Sequence, residues 1–215
     1  MMVDYDVMKA AKLSKYPFEW VELKDILSKE DRHTLAHYYP YQQLQPAKKY
    51  SDDVVSDKSY LFSVLPLVRM NEHLPSLQKI NSVWVKLIQR LDCESYRSLV
   101  SNLVDIDLMK KPMDISLFCF AENAWVSPHT DKNNKLVSQI FYFNEYWEPE
   151  WGGYMHLLTK NNKDAIYKRV SPSDNVSILF KRSESSWHSV QPVTSAAKQA
   201  RITLQCEFWN QEEDI

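Results

Sequence analysis

His129, Asp131, His188 and Arg201 are the residues whose types and order could do chemistry together. Two imidazoles and one carboxylate can occupy one face of an octahedral iron(II) and leave positions open for small ligands. An arginine further along the chain can clamp one end of a small dicarboxylate by a bidentate, charge-assisted pair. The combination predicts a centre where iron(II), a chelating dicarboxylate such as 2-oxoglutarate, and dioxygen meet.

His129-Thr130-Asp131 alone says little. In 215 residues with six His and 28 Asp+Glu, a His-x-acid triplet arises by chance, and a histidine in a polar turn is the ordinary alternative. Order and context give it weight. His188 lies in Ser186–Val193, which reads as a strand, and the spacing to Arg201 suits a turn and return along a neighbouring strand. His129 and Asp131 are expected at the end of one strand, alternate residues facing the same way. Thr203 shares the facing of Arg201 and could donate to the same carboxylate. Lys198 is the first alternative anchor.

Such side chains need a rigid frame. From about Met113 the chain is strand-like: Asp114 to Phe120, Leu136 to Phe143, Tyr154 to Leu158, Val176 to Phe180, Ser189 to Val193 and Ile202 to Phe208. Turn-forming clusters separate them, among them Asp131–Asn134 and Ser171–Asn175. Many short strands in sequence predict a double-sheet jelly roll. In the last run Arg201, Thr203, Gln205 and Glu207 fall on one face, and Ile202, Leu204, Cys206 and Phe208 on the other. A solvated polar side is one explanation; a polar lining for a ligand-filled interior is the other.

The N-terminal half reads as mixed, with helices dominating. Phe18–Leu23 alternates weakly, as a strand would. Ser28-Lys29-Glu30-Asp31 reads as a capping box opening a helix through about His37. Leu77, Ile80, Val83, Trp84, Leu87, Ile88 and Leu91 predict one helix over about 76–91, and Leu99, Val100, Leu103 and Val104 a second. Their apolar stripes need a sheet to cover. Helices on one face of a β core, in a single domain over 1–215 with a mostly helical part (1–112) packing on a catalytic core (113–209), is the expected architecture.

Glycine is scarce. Average usage near 7% would place roughly fifteen in a chain of this length; there are two, Gly152-Gly153. A tight turn or a close backbone approach is expected there.

The segment Tyr142-Phe143-Asn144-Glu145-Tyr146-Trp147, then Trp151-Gly152-Gly153-Tyr154-Met155-His156-Leu157, resembles the prolyl-4-hydroxylase-like iron(II)/2-oxoglutarate dioxygenases. Those carry Tyr-Leu-Asn-x-x-Trp and Gly-Gly-x-Leu between the His-x-Asp pair and the distal histidine. The similarity covers about 113–209 and implies a double-stranded β-helix. It implies His129, Asp131 and His188 as metal ligands, Arg201 as cosubstrate anchor and Tyr142 as a hydrogen-bonding partner of the cosubstrate carboxylate. Iron(II), 2-oxoglutarate and dioxygen are the cofactors expected, with ascorbate a candidate addition. Phe143 replaces the usual Leu. The distal His-to-Arg spacing is longer than in that family, and the loop Thr194 to Ala200 absorbs the difference. Both departures leave the substrate open.

The implied reaction is hydroxylation of an unactivated C–H of an amino-acid moiety, prolyl first, with 2-oxoglutarate decarboxylated to succinate. A small natural product or saccharide is an alternative substrate. A non-catalytic cupin-like metal-binding or interaction module is the alternative of another class, and an oxygen sensor a third. Asp131 argues against halogenation, since related halogenases have a small residue there.

Composition narrows the partners. A net charge of −2 argues against a nucleic-acid binder. No apolar run is long enough to cross a bilayer, and Met1–Asp6 does not read as a secretion signal. Cys93, Cys119 and Cys206 form no Cys-x-x-Cys pattern, which points to a reducing cytoplasm. A small molecule or peptide is the expected partner; oligomeric state is left open. His33 and His37 read as a helix face rather than a metal pair. Trp125, Trp147, Trp151 and Trp187 could line a substrate pocket or pack in the core. Glu145, Glu148 and Glu150 could meet a cationic group, and His156 could face the pocket.

Overall fold

The computed structural model describes residues 3–51, 58–173 and 175–210. Met1 and Met2, at the start of the expected non-signal N-terminus, Asp174 of the turn at 171–175, and the end of the domain at 211–215 lie outside the described residues. In chain order the elements are α1 (Tyr5–Ala10), β1 (Trp20–Lys24), α2 (Lys29–His37), β2 (Gln45–Lys49), β3 (Tyr60–Arg69), β4 (Glu72–His73), α3 (Ser82–Leu91) and α4 (Glu94–Val104). Then come β5 (Met113–Phe120), β6 (Trp125–His129), β7 (Lys135–Tyr142), β8 (Met155–Leu158), β9 (Ile166–Val170), β10 (Val176–Lys181), β11 (His188–Val190) and β12 (Arg201–Trp209).

The strands make one curled sheet in the order β1-β10-β7-β12-β5-β3-β6-β11-β8-β9, with β2 and β4 also paired to β3. Its two four-stranded parts, β10-β7-β12-β5 and β6-β11-β8-β9, are joined through β3. β3 pairs with β5 from Ser63 to Val68 and with β6 at Tyr60 and Leu61. The two parts face each other: Tyr142 Oη on β7 lies 3.2 Å from Met155 Sδ on β8, and the Phe180 ring on β10 is 4.8 Å from His188 on β11. This is the double-stranded β-helix expected from the sequence.

Alternation on β12 sorts the two sides of the frame. Ile202, Leu204, Cys206 and Phe208 are buried in the main core with Trp84, Leu87, Ile88 and Leu91 of α3 and Tyr96, Val100 and Val104 of α4. Each fully buried aliphatic side chain contributes roughly 1.5–3 kcal/mol, so this helix-on-sheet layer braces β12. Arg201, Gln205 and Glu207 face the interior cavity instead. Of the two explanations for the polar face, the ligand-lining one fits.

The helix expected over 76–91 is interrupted. Pro75–Lys79 forms a 3-10 turn, Ile80 is extended, and Asn81 then caps α3, its side chain accepting from Val83 N–H at 3.0 Å. The apolar stripe survives the break because Leu77 and Ile80 remain buried. Ser28 caps α2 as the capping box predicts, accepting from Asp31 N–H at 3.0 Å. The N-terminal part also supplies strands. No strand was expected over Tyr60–Arg69; Pro66 is unfavourable in a strand interior, and a register shift between Pro66 and Val68 accommodates it. β9 is a partly exposed edge strand without a clear apolar face.

Candidate metal and dicarboxylate site

β6 ends at His129 and β11 begins at His188, and the two residues are register partners. Their rings lie 4.2 Å apart between centroids. Asp131 sits two residues past the end of β6, in the loop before β7 and not in the strand. One ligand-capable atom from each of His129, Asp131 and His188 lies within 4.8 Å of the others, and all three residues are buried.

Each candidate ligand is held in a usable orientation. Nδ1 of His129 is 2.9 Å from Ser127 O, and Nδ1 of His188 is 2.9 Å from Ser186 O. A carbonyl only accepts, so Nδ1 carries the proton and Nε2 keeps its lone pair for a metal. The Asp131 carboxylate is fixed at both oxygens. Oδ1 accepts from Lys135 Nζ and Oδ2 from Ser138 Oγ, each at 3.0 Å. Lys135 also pairs with Glu207 at 2.5 Å.

The electrostatics suit a cation. Burial pushes the imidazole of His129 well below its usual range, helped by the charges of Lys58 and His188. Burial likewise lowers His188. Burial alone would raise Asp131, but the Lys135 ammonium, followed by His188, Lys58 and His129, holds its carboxyl well below the usual range. Two neutral imidazoles and an ionised carboxylate form the donor set that iron(II) takes.

Arg201, the first residue of β12, is 1% exposed. Its guanidinium lies over the rings of Phe120 at 4.5 Å and Tyr142 at 5.1 Å. Nε and Nη1 have no partner among the described residues, and neither has the buried Oγ1 of Thr203. Unmet donors on a buried cation are costly unless a ligand answers them. A carboxylate fits: it is an acceptor-only group matching the guanidinium fork. Tyr142 is fully buried beside Arg201, with its hydroxyl against Met155 Sδ. One cavity of about 610 Å³ joins Arg201 to the His-Asp-His cluster, with Phe118, Phe120, Ile140, Met155 and Phe180 in its wall.

The remaining candidates scatter. Among the four tryptophans Trp187 lines the cavity, together with Trp209, which was not expected. Trp147 and Trp151 stack edge to face at 5.3 Å in a separate cluster with Val193. Glu145, Glu148 and Glu150 do not line the cavity, and Glu145 pairs with His33 at 2.9 Å. The exposed Lys198 and the buried His156 are not in the cavity wall either. Both glycines have positive φ, and a Cβ on Gly152 would lie 2.2 Å from Pro192 O. The pair serves the close approach between the segment before β8 and the segment after β11. Lys58, Lys135, Ser138 and Glu207 are the site residues that sequence reasoning missed. Isolated Lys, Ser and Glu carry no spacing signal; alternation along β12 placed Glu207 on the right face without a role.

Residues 115–209 match the family model described as the 2OG-Fe(II) oxygenase superfamily. No curated protein sequence matches the chain. Among solved structures, a Pseudomonas putida prolyl-4-hydroxylase is similar at TM-score 0.60 and 16% identity, over 96% of this chain and 97% of that one. A Trichoplax adhaerens prolyl hydroxylase, in complex with a hypoxia inducible factor oxygen degradation domain peptide fragment, is similar at 0.57 and 13%, over 88% and 83%. HygX from Streptomyces hygroscopicus, with nickel and 2-oxoglutarate bound, is similar at 0.55 and 9%, over 90% and 83%. These likenesses concern the fold; the sequence match spans less than half of the chain, and over that span, which carries His129, Asp131, His188 and Arg201, the chain is similar to the 2OG-Fe(II) oxygenase superfamily.

Proposed function

We propose that the enzyme hydroxylates an unactivated C–H bond of an amino-acid moiety, prolyl first, while 2-oxoglutarate is decarboxylated to succinate. The observation that carries the oxygenase part is the buried Arg201, with two guanidinium nitrogens unanswered among the described residues, in one cavity with His129, Asp131 and His188. A scaffold has no need for a dicarboxylate anchor beside a metal-capable triad, which weighs against the non-catalytic module. The prolyl preference is supported by the Tyr142–Trp147 and Trp151–Leu157 segments.

His129 Nε2, His188 Nε2 and the Asp131 carboxylate would hold iron(II), and Arg201, with Thr203 and Tyr142 beside it, the far carboxylate of 2-oxoglutarate. Bound together, the metal and cosubstrate supply oxygen activation. The chain's own residues orient and shield. Lys135 and Ser138 keep the Asp131 carboxylate from swinging. The Ser127 and Ser186 carbonyls hold the imidazole tautomers. Ile140, Met155, Phe118, Phe120 and Phe180 exclude water from the cavity wall.

No helix among the described residues is long and apolar enough to cross a membrane. With all three cysteines free, the reading places the enzyme in a reducing cytoplasm as one domain, with ascorbate tested as an additive. The deciding experiment supplies iron(II), 2-oxoglutarate and a panel of amino acids and proline-containing peptides, and measures succinate together with the mass of each acceptor. Succinate coupled to a gain of one oxygen on an amino acid is expected. Oxygen on a sugar carbon or a nucleobase methyl refutes the amino-acid choice, and iron-loaded protein that never forms succinate refutes the enzyme reading.

A further inference from the structure

Lys58 reaches the metal-capable cluster from β3's side, outside the strands that carry the ligands. Its neighbour Ser59 is clamped to β6 at both backbone groups. Ser59 N–H donates to Ser127 Oγ and Ser59 C=O accepts from Ser127 N–H, each at 2.9 Å. Tyr60 and Leu61 then pair with Val126 and Trp125. This register holds the half-buried Lys58 in the cavity wall and sets its Nζ 3.4 Å from Nε2 of His129. That nitrogen is the one left for the metal. Once a metal takes its lone pair, Lys58 loses this acceptor.

Among the described residues nothing else nearby replaces it. Among the described residues no carboxylate lies within ion-pair distance of Lys58. The two carboxylates of the cavity are bridged by Lys135, to Asp131 at 3.0 Å and to Glu207 at 2.5 Å. With the cofactors in place, the charges of iron(II), Lys135 and Arg201 balance those of Asp131, Glu207 and the 2-oxoglutarate dianion. Among the described residues, the Lys58 ammonium is left over beside a divalent cation, an arrangement that favours any anion able to enter. The exposed Lys132 adds positive charge to the same lining.

We propose that Lys58 receives a carboxylate of the substrate, so that the loaded site selects small acceptors bearing a negative charge. This rests on the oxygenase reading of the same site and narrows its substrate class. It also reverses the polarity expected from the acidic loop at 145–150, whose glutamates lie outside the cavity. The same ammonium would orient the acceptor by its carboxylate while the apolar wall receives the rest.

The test uses the full chain loaded with manganese(II) and 2-oxoglutarate. Paramagnetic broadening of proton resonances reports weak binding near the metal. The probes are acetate and L-proline, each matched with its amide, acetamide and L-prolinamide. Both carboxylates should be broadened at concentrations where the amides are not. Lys58→Met should weaken the carboxylates about tenfold to a hundredfold, the loss expected for one charge-assisted pair, and Lys58→Arg should retain most of the binding. Equal broadening by acid and amide, broadening by neither acid, or no effect of Lys58→Met overturns the proposal. The 2-oxoglutarate affinity is read in the same titration. A loss there in Lys58→Met assigns the lysine to the cosubstrate and also overturns it. Failure of the unaltered protein to bind manganese(II) and 2-oxoglutarate removes the oxygenase reading itself, a result distinct from the others.

Discussion

Asp131 is the residue on which most of the site's geometry converges. It is the one carboxylate of the proposed ligand set, and Lys135 and Ser138 occupy both its oxygens. Asp131→Ala should abolish succinate formation and weaken metal binding while leaving the circular dichroism spectrum unchanged, because a loop carboxylate contributes little to the core. Full activity in that variant would mean the triad is misassigned. Arg201→Ala should raise the 2-oxoglutarate requirement about tenfold to a hundredfold, the equivalent of 1.5–3 kcal/mol, and spare metal affinity; an unchanged requirement in steady-state kinetics would move the anchor elsewhere. Lys135→Met leaves Asp131 and Glu207 facing each other without their shared cation. Breaking a buried pair from one side costs about 3–5 kcal/mol. Denaturant titration of the metal-free variant should show that loss, and manganese(II) should recover part of it by restoring positive charge. A metal-free variant as stable as the unaltered chain would show that the network is not holding the loop.

At the scale of elements, the site depends on strands being held at set separations. β12 is braced on one side by α3 and α4 and carries Arg201 on the other. β6 and β11 bring the two histidines into register. The glycine pair lets the segment before β8 lie against the segment after β11, with Gly153 N–H donating to Pro192 O at 3.3 Å. Gly152→Ala meets both a positive φ of 66° and backbone at 2.2 Å, which a rotamer change cannot relieve. A loss of about 2–3 kcal/mol is expected, read as a fall of several degrees in thermal midpoint. An unaltered midpoint would show that the chain can separate there at no cost.

For the whole molecule, pH is the informative variable. His156 on β8 is buried, and its Nε2 has no partner among the described residues. Burial, followed by the charge of Arg169 across from it on β9, lowers its pKa to about 4. An unfolded histidine takes its proton near pH 6.5. Between those values the unfolded chain binds more protons than the folded one, so stability is full above about pH 6.5 and falls as pH drops toward 4. After allowance for solvent screening, His156 accounts for about 2 kcal/mol of that loss. His129 and His188 act in the same direction in the metal-free protein. Denaturant titrations across this range should show a steeper decline for the unaltered chain than for His156→Leu; identical slopes would show that His156 already carries its proton in the folded state.

The sequence by itself determined the features that depend on near neighbours. Alternation along Arg201–Phe208 separates a polar from an apolar face because successive strand side chains point to opposite sides. Ser28 and Asp31 form a cap because three residues close one helical turn. The order His129, Asp131, His188, Arg201 is legible for the same reason that any motif is: the ligand types are rare enough to be noticed in series. Only the tertiary structure decided which face of β12 looks inward, since the polar face is buried or half-buried too and the choice depends on where α3 and α4 dock. It alone brought Lys58 to His129, through pairing of β3 with β6 across a stretch whose proline obscures the strand. It alone removed Glu145, Glu148 and Glu150 from the cavity, because residues in loops have no periodicity from which a facing could be read. The candidate metal ligands are therefore legible in the order of the residues, whereas the charge that surrounds them follows from contacts between residues far apart in the chain, which short-range patterns do not encode.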